Sequence, residues 1–130
     1  MIITLKQLDK RDACMEQRDL FEKLFGAAVG ITKELCIKHA PDFDWIWMAR
    51  NFLSASAGVE FDKARASARA ESNKAYASAR AEYNKACASA GVDKVCALAW
   101  AEFDKAWASA RAEYNKACAS AFADAALGAS

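Results

Sequence analysis

Cys36 and His39 stand one helical turn apart, the spacing at which a thiol and a general base could meet. Asp42 and Asp44 follow closely, a pair of carboxylates of the kind used in acid–base work. Neither arrangement makes a convincing catalyst. A nucleophile and a base on one short helix have poor mutual geometry, and no third group is spaced to orient the imidazole. A helix-capping role accounts for Asp44. Five cysteines occupy positions 14, 36, 87, 96 and 118, with no CxxC motif and no Cys/His cluster. His39 is the only histidine and has no spaced partner, so no metal and no other cofactor is expected. The cysteines read as small buried hydrophobes in a reducing compartment, with a regulatory disulfide between repeats as the alternative. The chain is therefore expected not to be an enzyme.

The remaining side chains with chemistry to offer are those of recognition. Trp100, Trp107 and Tyr76 are accompanied by Arg69, Arg80 and Arg111. Tryptophan, tyrosine and arginine are the types enriched at interface hot spots. The same aromatics are also the main large side chains that the alanine-rich C-terminal part has for a core. Alanine substitution of Trp100 and Trp107 separates the two roles.

The element that must position these residues is an internal repeat. From Ala55 to Cys118 the chain reads ASAGVEFDKAR, ASARAESNKAY, ASARAEYNKAC, a shortened ASAGVDKVC, ALAWAEFDKAW and ASARAEYNKAC, and its tail begins another copy. Eleven residues make almost three helical turns, so each position returns to nearly the same face. Numbered from the first alanine, positions 3, 7 and 10 form the expected apolar stripe, among them Ala57, Phe61, Ala79, Tyr83, Ala99, Phe103, Ala110 and Tyr114. Positions 4 and 11 flank it. Glutamate at position 6 and lysine at position 9 should form weak ion pairs on a solvated face. The short copy lacks two residues, about 200° of helix, which would throw the stripe to the opposite side. A break is therefore expected near Gly91, with two long helices folded back as a hairpin. Serine at position 2 keeps a second arrangement open. It could cap a short helix in every repeat, and stacked short helices would make an α-solenoid.

The segment before Ser54 reads as a small helical module. Thr4 through Gln7 has the form of a capping box. Asp12 is expected to cap a second helix ending at Gly26, Thr32 a third that stops before Pro41, and Asp44 a fourth carrying Trp45, Trp47 and Met48. The stretch from Gly26 to Gly30 reads as loop. The expected fold is all-α, with residues 1–54 as an N-terminal helical bundle that could cap the array of residues 55–130.

Charge excludes several classes of partner. The net charge is +1, with eight bases and eight acids up to Ser54 and ten bases and nine acids beyond it. Neither part is a basic nucleic-acid surface, so no direct nucleic-acid contact is expected. No apolar run reaches about 18 residues, so no membrane span is expected. The opening Met1-Ile2-Ile3 is too short for a signal peptide.

Leu5-Lys6-Gln7-Leu8 through Ala13-Cys14, Phe21, Phe25-Gly26, Thr32-Lys33-Glu34-Leu35-Cys36, Phe43-Asp44-Trp45 and Ala49-Arg50 resemble the N-terminal module of small phage and prophage proteins. The repeat Ala-Arg-Ala-Glu-Tyr-Asn-Lys-Ala is similar to the alanine-rich arrays that follow that module. The resemblance covers nearly the whole chain and brings no assigned activity. Proline at position 2 in those proteins implies short or kinked helices, which brings the solenoid level with the hairpin; this chain has serine there. A phage setting implies the host cell cytoplasm and a host protein as partner. It points to an inhibitor of a defence system, such as a CRISPR effector complex, acting by surface occlusion. The alternative expectation is a structural protein that forms a homo-oligomer through its eleven-residue repeats.

Overall fold

The computed structural model describes residues 1–90 and 93–128. Its order is β1 (Ile2–Thr4), α1 (Leu5–Lys10), α2 (Met15–Phe25), β2 (Ala28–Gly30), α3 (Lys33–Lys38), α4 (Trp45–Phe52), α5 (Ala55–Ala90) and α6 (Asp93–Gly128). The chain is predominantly helical, as expected. The Gly26–Gly30 stretch is not simply loop, however. Residues 28–30 pair antiparallel with residues 2–4, Ile3 standing opposite Val29. This ribbon tucks Ile3, with no exposed surface, under the module.

Local capping decides the module's helices. Thr4 accepts from the Gln7 backbone N–H while the Gln7 side chain accepts from the Thr4 N–H, a reciprocal capping box. Thr32 accepts from Leu35 N–H, and the Asp44 carboxylate accepts from Ile46 and Trp47 N–H. Gly26 ends α2 with a φ of 71°. Asp12 departs from expectation and does not cap α2. It sits at φ 56°, just past the end of α1. Its N–H bonds Asp9 O at 3.3 Å and the next N–H, of Ala13, bonds Leu8 O at 3.0 Å. These two bonds form a Schellman motif, and aspartate is among the few types that tolerate its left-handed position. The N-cap of α2 falls to Cys14, whose side chain makes no capping bond.

Each of α5 and α6 is 36 residues long, about 54 Å of continuous helix. The solenoid of short helices is therefore wrong. Ser54, outside the repeat, caps α5 through Ala57 N–H. Within the helices a repeat serine can turn back instead, as Ser89 does on Lys85 O at 2.9 Å. With no proline, nothing in the repeat forbids the intrahelical ladder. The break expected at Gly91 lies outside the described residues, but α5 ends at Ala90 and α6 begins at Asp93. The two helices pack antiparallel. Tyr83 meets Trp100, Tyr76 meets Trp107, and the start of α5 shares a core with the end of α6.

On α5 the seam leans to position 11 more than to the expected position 10, whereas on α6 Trp107 at position 11 is exposed and Ala117 at position 10 is half-buried. Ala57, Phe61, Arg65, Ala68, Ser72, Tyr76, Ala79, Tyr83 and Cys87 form the less exposed stripe of α5, whereas Ala64 and Ala75 are exposed. A 4, 4, 3 spacing keeps one face over eleven residues as well as 4, 3, 4 does. Position 11 carries the larger side chains, and burying them removes more area from water.

Core depth is uneven along the hairpin. Among the residues whose burial is described, the last buried one on α5 is Phe61 and the first on α6 is Cys118. These residues, with Phe122, Ala119 and Ala123, join Leu8, Phe21, Cys36, Trp45 and Met48 of the module in one cluster. Phe122 packs on Trp45 with ring centres 5.5 Å apart, and Trp45 donates its indole N–H to Ala40 O. Lys33 of α3 pairs with Asp124 of α6 at 2.9 Å. Beyond Phe61 the hairpin runs on for roughly 40 Å as a two-helix arm. Phe122→Ala should cost about 3–5 kcal/mol of stability. A urea-unfolding midpoint close to that of the parent chain would show that the module is not held this way.

Candidate protein-binding face

The repeat gives the arm two unlike faces. At three turns per eleven residues, positions 2, 6 and 10 flank the seam on one side and positions 4, 8 and 1 on the other. Since α6 runs opposite to α5 with the same repeat, like flanks of both helices fall on the same side of the hairpin. One face therefore collects serine, glutamate and alanine. The other collects position 4, namely Arg69, Arg80, Trp100 and Arg111, and position 8, asparagine or, between the two tryptophans, Asp104, beside the position 11 residues Tyr76 and Trp107.

The structure brings five of the six expected recognition residues into one cluster. Tyr76 lies edge-on to Phe103 at 5.6 Å and to Trp107 at 6.4 Å. Arg80 donates to the Tyr76 hydroxyl at 3.1 Å. The Arg111 guanidinium stands 6.0 Å over the Trp107 ring. Trp100 packs on Tyr83 at 5.7 Å and on Phe103 at 5.5 Å, yet 54% of it is exposed; Trp107 is 43% exposed. Arg69 is exposed two turns below Tyr76, at the edge of the cluster nearest the module. The aromatics thus divide: Phe61 is buried in the core and Tyr83 and Phe103 are half-buried at the seam, while each tryptophan leaves about half of its surface in solvent. Leu98, 64% exposed on α6, belongs to the exposed apolar surface and was not singled out by its type or spacing.

The opposite face is a long shallow groove that residue types alone did not reveal. Its floor is alanine and its edges are Glu71, Glu82, Glu102 and Glu113, continued at the base by Glu60 and Asp124. Only part of the expected ion-pair ladder forms. Glu60 meets Lys63 at 3.0 Å and Glu113 meets Lys116 at 3.6 Å. Among the described residues Glu71, Glu82 and Glu102 make no ion pair.

The cysteines also divide. Cys36 and Cys118 are buried as expected, but Cys14 is exposed and Cys87 and Cys96 are half-buried beside the tip. Hydrogen bonding to Cys87 is the chief cause that raises the Tyr83 hydroxyl above its ordinary range, with Cys96 adding a smaller push. His39 bonds Asp42 at 2.9 Å through Nδ1, so an orienting carboxylate exists after all. Cys36 is nevertheless an inert thiol, with no exposed surface and pushed up to about 11 by burial. An attacking thiol needs the opposite shift. The imidazole packs instead between Phe25 and Phe43.

Comparison with protein-family models, with curated proteins and with solved structures gives no match. Among the described residues no helix is long and apolar enough to cross a membrane, and no three metal-ligating side chains are grouped.

Two outcomes follow. Trp100→Ala combined with Trp107→Ala should keep the far-UV helical signal and cost about 2–4 kcal/mol, because only about half of each ring is covered. Loss of helicity would make them core. The second outcome concerns pH. The unfolded Cys36 thiol ionises near its ordinary 9.0 and the folded one near 11. Between those values the folded chain keeps a proton that the unfolded chain releases, so stability falls as pH rises through this window. The loss approaches about 2–3 kcal/mol. Tyr114 and Cys118, both raised chiefly by burial, act with the same sign. Cys36→Ala should flatten the dependence of the urea midpoint on pH; an unchanged slope contradicts the assignment.

Proposed function

We propose that this is a protein-binding protein whose arm presents its arginine–tryptophan face to a partner. One observation carries the reading. Trp100 and Trp107 each leave about half of their surface exposed on one face with Arg80 and Arg111, beyond the reach of the module's core. Exposed aromatic surface of this kind is unfavourable in water and marks interaction sites. Arginine beside tryptophan suits a protein surface that offers carboxylates and small apolar side chains. The glutamate rows on the other face and the near-zero net charge speak against nucleic acid.

The resemblance to small phage proteins supplies the setting. The partner is then a host protein in the host cytoplasm, a defence complex such as a CRISPR effector among the candidates, blocked by occupation of its surface. The tagged chain and its Trp100→Ala/Trp107→Ala variant, incubated with host lysate, test this by quantitative mass spectrometry. The expected result is one near-stoichiometric host protein retained by the parent chain and lost by the folded variant. Equal retention by both would remove the tryptophan face from the account.

A further inference from the structure

The two faces of the arm differ in charge and share one period: the groove has a carboxylate row, and the far side has Arg69, Arg80 and Arg111 against the single carboxylate of Asp104 on the outer arm. Glutamate recurs at position 6 along the groove every eleven residues, about 16 Å along the helix, and on the far side position 4 carries Arg69 and Arg80 on α5 and Trp100 and Arg111 on α6 at the same spacing. The groove measures about 500 Å³ in its middle section and about 390 Å³ nearer the tip, and every charged side chain lining both sections is a carboxylate. The far side offers the matching parts, two exposed indole rings and the Arg80 and Arg111 guanidinium groups.

We propose that copies of this chain associate face to groove, with Trp100 and Trp107 of one copy on the alanine floor of the next. Arg80 and Arg111 then meet its glutamates. This rests on the reading of the arginine–tryptophan face as protein-binding and gives that face a definite partner, a second copy. Other pairings are opposed. Groove against groove sets carboxylate rows together, and face against face sets arginines together. The contact is therefore heterologous. A pair so joined keeps one unused groove on the first copy and one unused face on the second, so the assembly is open-ended. The module covers the base of the arginine–tryptophan face at Phe122, which confines the overlap to the outer arm. From Arg69 to Tyr83 that is roughly 20 Å of helix. Two helices over this length bury less than the 1,200 Å² or so of a standard stable interface. Association is thus weak, dependent on concentration and reversed by salt. It also competes with any host protein for the same tryptophans.

Sedimentation velocity on the full chain, over a wide concentration range and at low and high salt, tests the proposal. The parent chain should show a sedimentation coefficient that rises with concentration, and the rise should vanish at high salt. Arg80→Glu/Arg111→Glu, which spoils the face, and Glu82→Arg/Glu102→Arg, which spoils the groove, should each remain monomeric. An equimolar mixture of the two should associate again, because the native groove of the first meets the native face of the second and the reversed face of the first meets the reversed groove of the second. A parent chain that is monomeric throughout overturns the proposal, and so does association that survives in either variant. If a variant loses helicity, the parent's concentration and salt series decides alone. A monomeric parent that still captures a host protein through Trp100 and Trp107 would overturn self-association while leaving the protein-binding reading intact.

Discussion

Phe122 against Trp45 is the contact on which the molecule turns. An alanine-rich helix forms readily but buries little, since a methyl group removes almost no area from water. Two such helices side by side gain a seam of scattered Phe, Tyr and Trp and not much more. Full burial is confined to the base, where the module lays Trp45, Met48 and Phe21 over Phe122, Phe61 and Cys118. The module has the converse difficulty. Its helices are short, its ribbon has only three residues a side, and it completes its core only by including α6. Each part supplies the apolar surface that the other lacks.

That division of labour explains where the interaction chemistry is found. At the base every large aromatic has a partner within the chain. Along the arm the seam has room for one side chain per helix per layer, so a second aromatic on the flank is left in solvent. Trp100 is such a flank residue, supported from beneath by Tyr83 and Phe103, and Trp107, against Tyr76 across the seam, still leaves 43% of its surface in solvent. The same arithmetic leaves alanine, serine and glutamate on the other flank, where a shallow groove opens. A single repeating sequence read on two antiparallel helices thus yields one knobbed, arginine-bearing face and one grooved, acidic face.

Much of the local structure was legible because its causes are local. Thr4, Thr32, Asp44 and Gly26 act within a few residues of themselves, and each ends or begins a helix as its type suggests. Asp12 misled because aspartate suits both an N-cap and a left-handed position, and the choice was made by the backbone bonds of α1. The ribbon was invisible because three-residue strands have no readable period and Ile3 finds its partner at Val29. On α5 the seam was placed one position off because alanine is apolar without being decisive. The better signal there was the larger side chains at position 11, Tyr76 and Cys87. The recognition residues could be named from type, but their convergence needed the antiparallel register. The groove could not be seen from one helix at all.

Residue-resolved hydrogen exchange on the native chain tests the central claim, that a base-anchored arm holds its interaction face outside the core. The account predicts strongest protection around Phe61 and Phe122, decreasing steadily along both helices toward the tip, with the arm opening separately from the base. Uniform protection of α5 and α6 from base to tip would contradict it, since the outer seam could not match the base without further packing over Trp100 and Trp107.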